Sequence, residues 1–123
     1  MHRFSLAARI MSAAALLAVL GIVAAPALGA RTHAAAASVT VTATEFKFKL
    51  SKTSVPHGKV VFTLVNKGKL AHDFKINGKK TALIKPGKKA TLKVTFAKAG
   101  SYPYLCTVPG HAKFGMKGVL KVT

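Results

Sequence analysis

Beyond residue 38 this sequence is organised in twos. Val39, Val41 and Ala43 share one face of an extended chain, and Phe46, Phe48 and Leu50 share a face of the opposite parity. Leu92, Val94 and Phe96 alternate with Lys93 and Thr95, the pattern of a strand with one dry face and one wet one. Residues 59–65 are apolar on both parities, which predicts a strand covered on two sides. The alternation slips near Thr44-Glu45, so a bulge or strand break is expected there. Turn signals separate the runs at Pro56-His-Gly58, Asn66-Lys-Gly68, Asn77-Gly78, Pro86-Gly87 and Gly100. No helical period and no internal repeat interrupts them. Many short strands punctuated by Gly and Pro predict an all-β fold, an antiparallel β-sandwich or barrel.

The N-terminal segment reads differently. Residues 1–9 carry Arg3 and Arg9 and no acid, residues 10–25 are almost wholly apolar, and residues 26–30 are small. These are the three regions of an export signal, with small residues at the spacing of a signal peptidase in Ala25-Pro-Ala27 and Ala27-Leu-Gly29. The apolar run of about 16 residues is shorter than the ~20 of a comfortable transmembrane helix. The expected organisation is therefore a signal peptide at 1–30, an Ala-rich tether at 31–38 and one domain at 39–123. An uncleaved N-terminal anchor is the alternative. Either way the domain is placed outside the cytoplasm, in the periplasm or on the extracellular face of the membrane.

Loss of Arg3 and Arg9 with the leader takes the formal charge from +18 to +16 and leaves both acids, Glu45 and Asp73, in place. Such a domain repels its own copies, which favours a monomer, and attracts acidic protein surfaces or an anionic envelope. A nucleic-acid role is disfavoured by export and by the aromatics. Phe46, Phe48, Phe62, Phe74 and Phe96 fit apolar strand faces rather than a stacking groove.

The chemistry concentrates in residues 106–116. The single cysteine, Cys106, opens a Cys-x4-His-x4-Met spacing through His111 to Met116, between strand-like runs at 101–106 and 117–123. A lone thiol in an oxidising compartment has no internal disulfide partner and invites a specific use. His72 shares the parity of Phe74 and Ile76, so its ring points toward the core and needs a partner for its nitrogens. His57, in a turn, and His33, in the tether, read as solvated. A thiolate and a thioether suit Cu(I) while two imidazoles also serve Cu(II), so His72, Cys106, His111 and Met116 form a candidate set for one copper ion. Zinc has no use for the thioether, and iron–sulfur clusters need more thiolates.

Three segments carry a family resemblance: Asn66-Lys-Gly-Lys-Leu-Ala-His72-Asp-Phe74, Gly100-Ser-Tyr-Pro-Tyr-Leu-Cys106, and Thr107-Val-Pro-Gly-His111 through Met116-Lys-Gly118. They resemble the copper motifs of cupredoxins, the blue type 1 copper proteins related to plastocyanin and azurin, with a ligand loop closest in length to auracyanin and rusticyanin. The resemblance implies a Greek-key sandwich of about seven or eight strands with copper at one end, His72 from an earlier strand and the other ligands from the loop before the last. It also implies that Tyr102 is the corner tyrosine. The residue after the first histidine is commonly Asn in that family, and here it is Asp73, which accepts hydrogen bonds but does not donate them when ionised.

No paired carboxylates or spare histidines supply a second catalytic centre, so an enzyme is not expected. The expected function is one-electron transfer between redox partners with acidic docking surfaces. Copper buffering or delivery is the alternative that the same ligands would serve.

Overall fold

A computed structural model describes residues 35–123, together with Gly21, as an all-β domain of nine strands. The signal segment, His33 and most of the tether lie outside the described residues. The strands are β1 (Ala37–Thr44), β2 (Lys47–Leu50), β3 (Ser54–Val55), β4 (Gly58–Asn66), β5 (Lys75–Ile76), β6 (Lys79–Lys80), β7 (Lys89–Phe96), β8 (Gly100–Leu105) and β9 (Lys117–Val122). They form two sheets, ordered β2-β1-β4-β7 and β3-β9-β8-β5-β6, and no helix is present among the described residues. The fold is the expected Greek-key sandwich. Two pairings, β1 with β4 and β3 with β9, are parallel, so both sheets are mixed.

The period-two residues meet between the sheets. Val39, Val41, Ala43, Val60, Phe62, Leu64, Val94 and Phe96 line one side of the core, and Val55, Ile76, Leu120 and Val122 come from the other sheet. Phe74 packs against Phe62 at 5.3 Å and edge-on to Phe48 at 5.4 Å, close to the preferred geometry of aromatic pairs. β4 departs from expectation. Its inward residues are buried, whereas Val61, Thr63 and Val65 are half-exposed on the outer face, shielded by their strand neighbours rather than by a second layer.

Local chemistry explains the turns that set the site. Asn77 and Gly78 both take positive φ, 50° and 74°, in the two-residue turn that closes the β5–β6 hairpin. Tyr102 donates its hydroxyl proton to the Lys98 carbonyl at 2.7 Å, the corner contact that the resemblance implied. The parity slip at Thr44-Glu45 is a strand break, a tight turn between the antiparallel β1 and β2. Phe46 sits in that turn at φ 45° and not on a strand face, a correction to the sequence reading.

Candidate metal centre

β8 ends at Leu105 and β9 begins at Lys117, and the intervening loop folds back on itself through short-range hydrogen bonds. His111 N–H donates to the Val108 carbonyl, Met116 N–H to the His111 carbonyl, and Cys106 N–H to the Met116 carbonyl at 3.0 Å. The first and last donor residues of the loop are thereby tied together at its neck. Gly115, at φ 120°, is constrained twice: a side chain would strain the backbone and its Cβ would lie 3.2 Å from the Phe46 carbonyl oxygen.

The fourth expected residue arrives from the opposite loop. His72 pairs backbone to backbone with Ile84 and is fully buried, as its parity with Phe74 and Ile76 predicted. Its Nδ1 lies 3.1 Å from Nδ1 of His111, and Cys106 Sγ lies 3.6 Å from that same atom. One donor atom from each of the three residues falls within 4.8 Å of the others. Met116 is also fully buried. Two ring nitrogens and a sulfur converging in a dry pocket fit a soft or borderline metal ion better than they fit one another, since two imidazole lone pairs at that distance share at most one proton.

A family model, the cupredoxin-like domain, matches residues 13–122. The chain belongs to the cupredoxin family. The match begins inside the segment read as an export signal. Among curated relatives, the copper-resistant cuproprotein CopI of Vibrio cholerae is 27% identical over 115 residues, covering 76% of this chain and 68% of that protein. CopI of Pseudomonas aeruginosa is 45% identical over 42 residues, 34% of this chain and 23% of that protein. Two solved structures superpose with a TM-score of 0.62 over 72% of the chain: dithionite-reduced auracyanin from Roseiflexus castenholzii, 22% identical over 98% of its length, and auracyanin B, 25% identical over 89%.

Around the cupredoxin's donors, each loop is held by side chains. Asp73 accepts two hydrogen bonds from Thr107, one from the backbone N–H at 2.6 Å and one from the hydroxyl. The tie between the two donor-bearing loops therefore survives the replacement of the usual Asn, because Thr107 provides the donors and the carboxylate has only to accept. Asn66 donates to the Leu70 and Ile84 carbonyls and accepts from Gly68 N–H, bracing residues 66–72 from within.

The β1–β2 turn adds two contacts that sequence reasoning missed. Glu45 Oε1 accepts from the N–H groups of Lys69 and Leu70 and lies 3.3 Å from His72 Nε2. Phe46 stands edge-on to the His111 ring at 5.2 Å and touches Phe114 at 5.1 Å. A signal for both was present: one of only two acids in the chain falls where the alternation breaks. His57, by contrast, lies outside the site as expected, its Nδ1 3.0 Å from the Thr123 carbonyl oxygen on the exposed surface.

Burial sets the protonation of the donors. It pushes the Cys106 thiol above its ordinary value, partly opposed by the backbone N–H groups of Asp73 and Val108. Burial also holds His111 below the ordinary histidine range, reinforced by the neighbouring His72. Glu45 is held below the ordinary carboxylate value, first by the Leu70 N–H.

Proposed function

We propose that this cupredoxin is an exported one-electron carrier in which His72, Cys106, His111 and Met116 hold one type 1 copper ion. The convergence of three donors beneath an exposed aromatic patch carries the reading. A thiolate–imidazole–thioether set lets copper alternate between Cu(II) and Cu(I) with little rearrangement. The protein's own share is rigidity: buried rings, a loop tied at its neck and carboxylates that fix both donor segments.

His111 is 7% exposed and is the donor nearest solvent, edged by Phe46, which in turn packs on Phe114, itself 67% exposed. Pro109, Gly110, Ala112 and Gly115 lie around it in the same loop. An apolar surface of this kind lets a redox partner approach closely without burying charge, and the basic domain favours an acidic partner. Export rests on residues 1–30 as a cleaved signal or an anchor.

Loaded with Cu(II), the protein is expected to show intense thiolate-to-copper absorption in the visible, and Cys106→Ser is expected to abolish it. Retention of the colour in that variant would refute the ligand set. The names of the CopI relatives favour a second reading, copper buffering or delivery. Repeated oxidation and reduction with copper retained supports the carrier, whereas transfer of the ion to an acceptor protein supports delivery.

A further inference from the structure

Glu45 lies on the far side of His72 from the converging donors. Its Oε1 is 3.3 Å from Nε2, while Nδ1 of the same ring faces His111 Nδ1 at 3.1 Å. It is therefore placed not to bind a metal at the convergence point but to accept the proton of the opposite ring nitrogen. The same oxygen accepts from Leu70 N–H at 2.7 Å and from Lys69 N–H. Three donors on residues 69–72 thus converge on a carboxylate delivered by a turn that precedes them by more than twenty residues.

The surroundings are shaped for this group. Among the described glycines, Gly68 is the one where a side chain would collide with it: a Cβ there would lie 2.5 Å from Oε1, although the Gly68 backbone is not left-handed. Phe46, the next residue, takes a positive φ that an aromatic side chain seldom adopts. In a chain of 20 basic residues the only two acids, Glu45 and Asp73, both sit at this loop. Asp73 ties its lower end to Thr107, and Glu45 ties its upper end to the β1–β2 turn.

We propose that Glu45 is a positioning residue of the metal centre: by accepting the Nε2 proton it commits Nδ1 of His72 to the ion, and its negative charge favours the more highly charged oxidation state. The proposal rests on the reading of His72 as a ligand. A carboxylate partner of this kind fixes the tautomer and orientation of the ring and raises its basicity. Because the ring conveys the carboxylate's charge toward the site, Cu(II) gains more than Cu(I), and the reduction potential falls.

The decisive variant is Glu45→Gln, which keeps size and an acceptor oxygen but removes the charge. Its expected phenotype is a folded protein with the visible band retained, a raised reduction potential, and Cu(II) affinity lowered by roughly 10–100-fold. Cu(I) affinity should fall less. In the diamagnetic Cu(I) form, the His72 Nε2 proton should be slow to exchange and hydrogen-bond shifted in the parent, and should exchange faster with a smaller shift in the variant, whose amide oxygen accepts without the charge. A second perturbation, Gly68→Ala, leaves the carboxylate in the chain but displaces it, and should move the potential in the same direction.

Combining the two changes should add little to Glu45→Gln alone, because both act through one contact. Equal shifts from Gly68→Ala with and without Glu45 would overturn the proposal. So would an unchanged potential and an unchanged Nε2 proton in Glu45→Gln, even with the wild-type thiolate–copper band intact, an outcome that leaves the ligand set standing. Absence of that band from the wild-type protein would instead remove the ligand set itself, and the proposal with it.

Discussion

Cys106 is 1% exposed, and the cost of ionising a buried thiol keeps its proton on at neutral pH. His111, held down by burial, is already neutral there. Copper binding, which needs a thiolate, should therefore release the thiol proton and none from the His111 ring. Between the ordinary histidine value of 6.5 and the ordinary thiol value of 9.0, the apparent copper affinity should rise by about tenfold per pH unit. Proton uptake by an indicator dye during metal titration measures it directly, and an affinity that ignored pH across that window would contradict it. The convergence of His72, Cys106 and His111 was legible because a short loop concentrates rare donor types and His72 shares the parity of Phe74 and Ile76. Glu45 was not legible in the same way. Its link to His72 spans 27 positions and exists only because a turn folds it beneath Gly68, a relation that no local pattern records.

Two strand-end segments meet at Asp73 and Thr107, and their clasp decides how firmly His72 is held against Cys106. Replacement of Asp73 by Asn keeps one acceptor oxygen for the Thr107 N–H but turns the other position into a donor and removes a charge close to the site. Asp73→Asn should raise the reduction potential by cyclic voltammetry; an unchanged value would mean the carboxylate is electrically decoupled from the copper. The corner at the other end of β8 makes a contrasting case. Tyr102→Phe removes the hydroxyl bond to Lys98 and should lower unfolding free energy by about 1 kcal/mol, with the visible spectrum unmoved. Element by element, the long strands were legible from their alternation, and β7 matches it residue for residue. The two-residue strands β3, β5 and β6 are too short to show any period. The parallel pairings escaped for a different reason: side chains alternate alike in parallel and antiparallel ladders, so β1 beside β4 and β3 beside β9 are decided by chain path and core packing.

Across the whole domain, charge is arranged as a uniform basic surface with its two anions committed to the metal end. Glu45 and Asp73 are engaged with backbone and side-chain donors, so no other acidic side chain offsets the lysines. A redox partner docking on the Phe114 patch, as proposed, would meet Lys113 and Lys117, both exposed and within a few residues of His111. Lys98 lies beyond the opposite end of β8, whose six extended residues at ~3.3 Å each make a strand about 20 Å long between it and the Cys106 end. Exposed charges are screened over about 8 Å near physiological ionic strength, so Lys98 contributes to the distant field but little to the final docked pose. Electron exchange with an acidic partner should accordingly slow as salt rises, because steering acts on the association rate. Lys113→Glu should slow association at fixed ionic strength far more than Lys98→Glu, while both leave the visible spectrum unchanged. Stopped-flow rates over a salt series test the two together. If the two reversals slowed the reaction equally, net charge alone would be steering the encounter and docking at the His111 edge would be wrong; if neither salt nor Lys113→Glu mattered, electrostatic steering itself would fail.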